Sequence, residues 1–340
     1  MQEQALNPLN PSSPVLSPVA AAAPRAQASV RNLPVNLFAS VMGLSGLALA
    51  WRLAHDSLGA PAIVGEAVGA FALGVFVLIS AGYLMKLARH PQAVQAEFRH
   101  PVAGNFFGTI AISVLLLSVV IAPYSAPVAH FAWALGLSAT FALSFVALSR
   151  LLKGQVDASL AVPAWIIPGV ATLDIPVTGA HMPMAWAGEV NLAASAIGAV
   201  LALVLFTMII GRLVHRDPLA PAMEPSLMIL VAPFAVGFLA YTNVVGEIDR
   251  FASMLFYFGL FIFAVVAPKV FRRGATFSPS WWAIGFPMAA LANAALKYAE
   301  SRASAPLWVV AVVLLVALNL ALAVLTVKTV RIALNGKLFA

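Results

Sequence analysis

The chain has 340 residues, 62% of them hydrophobic and 9% charged, where a soluble domain carries about 25% charged residues, so a water-soluble globule is excluded. Its mean hydropathy is +0.97 and it has no cysteine, which also excludes a disulfide scaffold, a thiolate metal site and a cysteine nucleophile. A formal charge of +7 fits either nucleic acid or loop charge that orients a membrane protein, and the positions of the charges decide. In chain order, residues 1–32 are rich in Pro, Ala, Ser and Gln. They are expected to form a disordered cytoplasmic tail and not a cleaved signal peptide, because the first apolar segment is as long as a full span.

A bilayer core of about 30 Å takes about 20 apolar residues. Charge-free runs cover 32–51, 67–85, 100–149, 190–211, 225–246, 251–268, 274–296 and 303–327. The run 100–149 is double, broken by Pro123-Tyr124-Ser125-Ala126-Pro127, a turn between helices. A weaker span at 161–180 carries Asp174. The reading is an all-α membrane protein with ten transmembrane helices, near 34–54, 62–88, 101–122, 127–152, 162–180, 186–214, 225–244, 250–271, 279–299 and 306–332. These make up a channel domain at 33–334, followed by a short cytoplasmic C-terminal tail at 335–340.

Ten spans put both termini on one side. Arg25, Arg31, Lys86, Arg89, Arg99, Arg150, Lys153, Arg212, Arg216, Lys269, Arg272, Arg273, Lys328, Arg331 and Lys337 fall on that side, and only Arg52, Arg250, Lys297 and Arg302 opposite. The positive-inside rule therefore places both termini in the cytoplasm of a multi-pass protein of the inner membrane, and no nucleic-acid partner is needed to explain the charge. Trp51, Trp133, Trp186 and Trp308 at outer ends and Trp165, Trp281 and Trp282 at inner starts fit the preference of indole for the headgroup level.

Each odd-numbered span opens with a proline, at Pro34, Pro101, Pro163, Pro225 and Pro279, where the missing N–H costs little. The regular spacing describes five helical hairpins in series. Odd spans such as the first, with Pro34, Asn36, Ser40, Gly43, Ser45 and Gly46, are rich in small and polar residues; the tenth is nearly all Leu, Val and Ala, and the fourth fits the contrast poorly. Small and polar helices pack against protein or line a cavity, and smooth ones face lipid. The expected architecture is an inner ring of five odd helices around a pore and an outer ring of five even ones.

The odd spans read LPVNLFASVMGLSGLALAWR (33–52), HPVAGNFFGT (100–109), VPAWIIPGVA (162–171), EPSLMILVAPFAV (224–236) and FSPSWWAIGFPMAALANAALKYAE (277–300). In these segments the chain resembles the slow-type anion channel family, which also contains the bacterial tellurite-resistance protein and fungal dicarboxylate transporters. The resemblance implies a homotrimer in which each protomer has its own pore, closed mid-membrane by Phe286, with the inner helices bent at Pro168, Pro233 and Pro287. From Pro279, seven residues at 1.5 Å put Phe286 about 10 Å into the membrane, where a phenyl ring gates by excluding water; the plain alternative is a packing phenylalanine.

Asn36, Ser40, Asn105, Phe106, Thr109 and Asn293 are pore-lining candidates. Lys297, one turn before Glu300, reads either as an i,i+3 pair that snorkels to the interface or as a charge that draws anions to the outer mouth. Asp174 is an acid well inside a span and a functional candidate by default; it is expected to be protonated, paired with a base such as Lys297, turned from the axis, or a proton-coupling group. Gly43-Leu44-Ser45-Gly46 matches the G-x-S-G of intramembrane serine proteases, but His55, His90, His100, His130, His181 and His215 all fall at span ends or in loops, so helix packing is the simpler reading. With no metal-ligand cluster and no nucleotide motif, no enzyme and no cofactor is expected. The functional reading is a passive anion channel or uniporter for inorganic or small organic anions, and the alternative is a proton-coupled carrier for C4-dicarboxylates or tellurite-type oxyanions.

Overall fold

The computed structural model describes residues 29–154, 156–272, 277–336 and 338, and every regular element among them is helical. The α-helices are α1 (Ala39–Leu58), α2 (Ala62–Arg89), α3 (Pro91–Arg99), α4 (Gly108–Ile121), α5 (Ala126–Leu152), α6 (Ile167–Gly179), α7 (Ala187–His215), α8 (Ala232–Val245), α9 (Arg250–Val270), α10 (Gly285–Arg302) and α11 (Ala305–Leu334). Eight helical segments are long and apolar enough to cross a membrane. The segments 163–179 and 279–302 are not among them: the first is short and carries Asp174, and the second carries Asn293, Lys297 and Glu300. Of the tail expected at 1–32, residues 1–28 lie outside the described residues, as do Arg273, Lys337, Phe339 and Ala340. Ser29 already belongs to the folded part, its Oγ capping the 3-10 turn Val30–Asn32 by accepting from the Arg31 N–H at 3.2 Å.

Five helices are entered through 3-10 segments, which are Val35–Phe38 before α1, Ala103–Phe107 before α4, Pro163–Ile166 before α6, Pro221–Val231 before α8 and Pro279–Ile284 before α10. Three of the prolines stand where no amide donor is required, Pro34 capping the first segment and Pro163 and Pro279 opening theirs, whereas Pro225 lies inside the fourth. A 3-10 turn rises about 2.0 Å per residue against 1.5 Å for an α-helix. These helices therefore reach further into the membrane than an all-α reading allows.

Pro168, Pro233 and Pro287, where the inner helices are expected to bend, all stand just after a change of helix geometry. Pro168 and Pro233 occupy the first turns of α6 and α8, and Pro287 is the third residue of α10. Each follows the change from 3-10 to α geometry, Pro233 near the middle of the continuous helical segment Pro221–Val245, and each removes one backbone donor there. The interior proline of α6 is Pro176.

Packing sorts the helices into two classes. α1 packs on α4, α4 on α6, α6 on α8, α8 on α10 and α10 back on α1, and each of these also packs on the helix that follows it in sequence. In the most apolar stretch of Val35–Leu58, 78% of residues are buried, against 22% in Ala62–Arg89. The fourth predicted span, α5, is also 22% buried in that sense and is peripheral in spite of its small and polar residues. Gly136, Thr140 and Ser144 form its inward face: Gly136 abuts Leu115, and the Ser144 hydroxyl donates to Pro168 O at 2.9 Å.

Close approach of α1 and α10 accounts for the G-x-S-G motif. A Cβ on Gly43 would stand 3.2 Å from Gly285 Cα, and one on Gly46 2.7 Å from Ala289 Cβ. The Ser45 hydroxyl is buried without a hydrogen-bond partner. These glycines let two backbones touch, the packing role of small residues in membrane helices.

Two polar clamps hold the helix ends. Arg52 on α1 makes a two-pronged contact with Glu66 on α2, Nε to Oε1 at 3.0 Å and Nη2 to Oε2 at 3.1 Å, and donates to the carbonyls of Val119 and Val120, each at 2.9 Å, near the end of α4. At the opposite end of α2, buried Lys86 donates to Glu97 of α3 at 2.6 Å and to Leu33 O at 2.7 Å, while Glu97 also accepts from Tyr83 Oη and the Val35 N–H, both at 2.8 Å. Helix α3 was not anticipated. It is short and amphipathic, and Glu97 ties it to the start of the α1 segment.

Candidate functional site

The central helices enclose two cavities that meet at one side chain. One, of about 440 Å³, is lined by Gly46, Arg52, Asp56, Asp174, Thr178, His181, Asn243, Phe286, Ala290, Asn293, Lys297 and Glu300 among others. The other, of about 30 Å³, is lined by Ala39, Met42, Phe106, Thr109, Ile112, Ile167, Val170, Ile229, Ala232, Trp282, Ala283, Phe286 and Pro287. Phe286 is the residue common to both. The smaller cavity holds about one water molecule.

Helix α10 supplies one wall of the larger cavity through a single stripe. Phe286, Ala290, Asn293, Lys297 and Glu300 all line it, and the alternating steps of four and three residues are those of one helical face. From Phe286 to Glu300 this wall is about 21 Å long at 1.5 Å per residue. Phe286 itself is buried, at 6% exposure, in the first turn of α10. Counting Pro279–Ile284 at 3-10 rise puts it about 13 Å from Pro279, deeper than the 10 Å of an all-α count and close to the middle of a core of about 30 Å.

Asn293 is both wall and strut: its Nδ2 donates to Gly46 O at 2.9 Å and to Ala289 O at 2.8 Å, fastening α10 to α1 where the glycines touch. Thr109 and Phe106 line the smaller cavity, Thr109 with its hydroxyl turned back to Phe106 O at 2.6 Å. Three of the lining candidates stand elsewhere. The Ser40 hydroxyl donates to Leu37 O at 2.7 Å, and Asn36 has a buried Oδ1 with no partner; neither lines either cavity. Asn105 donates to Pro101 O at 3.0 Å and borders a different groove, between α5, α6 and α7. Ser40 and Asn105 bond their own backbone because hydroxyl and amide groups at the start of a helix find a carbonyl three or four residues back.

Both expected partners of Lys297 are replaced. Lys297 Nζ donates to Asn243 Oδ1 at 2.7 Å, and Asn243 Nδ2 donates to Pro176 O at 3.2 Å and Val177 O at 3.1 Å. Among the described residues the ion pairs within 4.0 Å are Arg52–Glu66 and Lys86–Glu97, so Lys297 pairs with neither Glu300 nor Asp174. The Pro176 and Val177 carbonyls lie in the last turn of α6, where no intrahelical donor follows, and the Asn243 amide on α8 bonds them. This bridge between α6, α8 and α10 was not visible beforehand.

Asp174 is 1% exposed, lines the larger cavity and has a buried Oδ2 without a hydrogen-bond partner. With four 3-10 residues opening its segment, it lies about 18 Å from Pro163, about 5 Å further along its segment than Phe286 along its own. Arg52 also borders this cavity, but its guanidinium is committed to Glu66 and the α4 carbonyls.

Comparison with known proteins matches residues 32–330 to the family described as voltage-dependent anion channel, SLAC1. Among its relatives, the S-type anion channel SLAH3 of Arabidopsis thaliana is 27% identical over 311 residues, covering 87% of this chain and 48% of the relative. The guard cell S-type anion channel SLAC1 of the same plant is 25% identical over 280 residues, covering 79% of this chain and 50% of the relative. The tellurite resistance protein TehA homolog of Haemophilus influenzae is 26% identical over 272 residues, covering 78% of this chain and 81% of the relative. The chain thus spans about half the length of these plant relatives and most of the bacterial one. With the matched region running from the first 3-10 turn into α11, the chain belongs to the voltage-dependent anion channel (SLAC1) family.

Proposed function

We propose that this chain is a passive anion channel or uniporter whose path runs along the axis enclosed by α1, α4, α6, α8 and α10. In this proposal all ten long helical segments cross the membrane as five hairpins, the two short or polar ones being shielded from lipid by their neighbours. Both termini are cytoplasmic, the membrane is the cytoplasmic one, and three copies assemble, each with its own path. The observation that carries the reading is the meeting of two cavities at the Phe286 ring. Swinging that ring aside joins them; leaving it in place blocks the path with a hydrophobic plug that binds no ion.

The chemistry of the lining points to the selectivity. The small cavity beside Phe286 is lined by apolar side chains and Thr109, so an anion crossing there gains no compensating charge and must shed water. Dehydration then sets the order, and weakly hydrated monovalent anions pass most easily. Reversal potentials in planar bilayers are expected to show nitrate more permeant than chloride; a chloride preference overturns this account of the constriction.

One observation favours a second reading, a proton-coupled carrier for C4-dicarboxylates or tellurite-type oxyanions. Asp174 borders the anion cavity with an unpartnered carboxylate oxygen, and a fixed negative charge there repels the permeant ion. A carrier that uses Asp174 as its proton acceptor shows saturating, pH-driven uptake that Asp174→Asn abolishes. The channel shows currents that survive the substitution.

A further inference from the structure

On the periphery, away from the Phe286 path, a groove of about 330 Å³ runs between α5, α6 and α7, its walls including Leu143, Ala147, Leu151 and Leu201. Leu151, Val156 and Trp165 also border an adjoining cavity of about 450 Å³, whose other lining includes Arg212, His215 and Arg216. The two spaces are continuous in their lining: apolar toward the middle of the helices, cationic at the ends of α5 and α7. From Leu151 back to Thr140, both on the groove wall, α5 rises about 16 Å, the hydrocarbon depth of one leaflet in a core of about 30 Å.

The cationic end is only partly neutralised from within, by Asp157, whose carboxyl feels the charge of Arg216. Arg212 donates from Nε to Ser159 O at 3.2 Å, and its Nη1 is buried with no hydrogen-bond partner. Neither Arg212 nor Arg216 forms an ion pair within 4.0 Å among the described residues. A buried guanidinium nitrogen without an acceptor is costly, and arginine is the side chain best matched to phosphate oxygens. A leaflet-deep apolar slot ending in unpaired arginines has the shape and charge of a phospholipid with an anionic headgroup.

We propose that this groove binds an anionic phospholipid of the leaflet on that side, with one acyl chain lying along α5 and α7 and the headgroup phosphate held by Arg212 and Arg216. Each cation near an anionic headgroup contributes about fivefold in affinity, so two arginines give a preference of about 25-fold over a lipid without net charge.

The test is native mass spectrometry and thermal unfolding of the full chain in detergent, titrated with dioleoyl phosphatidylglycerol, dioleoyl phosphatidylcholine or inorganic phosphate. Phosphatidylglycerol is expected to be retained and to raise Tm at concentrations at least about tenfold below those needed for phosphatidylcholine. Arg212→Gln combined with Arg216→Gln is expected to remove that preference, and Ala147→Trp, which fills the slot and leaves the arginines, to abolish retention. Equal retention of the two lipids by the unmodified protein overturns the proposal without recourse to any variant. Displacement of the lipid by millimolar inorganic phosphate, or a change of oligomeric state in Ala147→Trp with lipid retention unchanged, overturns it as well, the first assigning the arginines to a free anion and the second the groove to another protomer.

Discussion

Replacing Phe286 with alanine probes the reasoning most directly. The ring is buried at 6% exposure between cavities of about 30 and 440 Å³. In the proposed gating the ring must leave that seat to open a path, and the burial of one phenylalanine side chain is worth about 1.5–3 kcal/mol. Such a gap corresponds to an open fraction between about one in ten and one in 150. Phe286→Ala removes both the plug and its seat, so current per molecule at fixed voltage is expected to rise about 10- to 150-fold, with Phe286→Leu in between. Removal of a fully packed phenylalanine costs about 3–5 kcal/mol. Here the ring borders space on two sides and the loss is expected at the low end of that range, leaving a folded protein with a lowered Tm. Purified protein reconstituted in planar bilayers gives the current, and thermal unfolding of the same preparation gives the control. Wild-type current from Phe286→Ala protein that melts cooperatively refutes the gate, because the path is then closed elsewhere or does not exist.

Arg52→Lys is expected to lower stability by about 1–2 kcal/mol, read as a fall in Tm. The two-pronged contact with Glu66 is lost, but its partners are 19% and 33% exposed, so most of the cost comes from the abandoned carbonyls of Val119 and Val120; an unchanged Tm contradicts this. Glu97→Leu leaves Lys86 buried without its carboxylate and is expected to cost about 3–5 kcal/mol, whereas Lys86→Met combined with Glu97→Leu recovers part of the loss. A double variant no more stable than Glu97→Leu alone shows that the pair is not what Lys86 requires. In the loop before α9, the Ala252 N–H at 2.8 Å and the Tyr241 hydroxyl at 2.7 Å hold the Asp249 carboxyl below the usual aspartate range. This contribution is present above about pH 4 and lost as pH falls through the lowered value. Asp249→Asn is therefore expected to flatten the acid limb of the stability profile, and an unaltered limb assigns the acid sensitivity elsewhere.

Much of the arrangement was legible in the residues alone. Charge-free runs located the helices to within a few residues, α2 at Ala62–Arg89 against 62–88 expected and α5 at Ala126–Leu152 against 127–152, because a bilayer imposes length and hydropathy on whatever crosses it. The prolines and small residues separated buried from peripheral helices. Composition failed for α5, whose Gly136, Thr140 and Ser144 serve one inward face, and for α3, too short and mixed to register as a span.

Tertiary structure decided what depends on neighbours from distant parts of the chain. That Lys297 meets Asn243 and not Glu300 or Asp174, that Asp174 borders a cavity, and that Ser40 and Asn105 line neither central cavity are matters of helix rotation, and one residue of α-helix turns a side chain by about 100°. The depth of Phe286 likewise rests on six residues adopting 3-10 geometry, a choice made by packing and not by propensity. Hydropathy and length suffice to pick out eight segments able to cross a membrane, since each answers to the solvent alone. Which side chains meet at the axis is set jointly by helices up to some 250 residues apart, as the Asn293 contact with Gly46 shows, and only their packing fixes it.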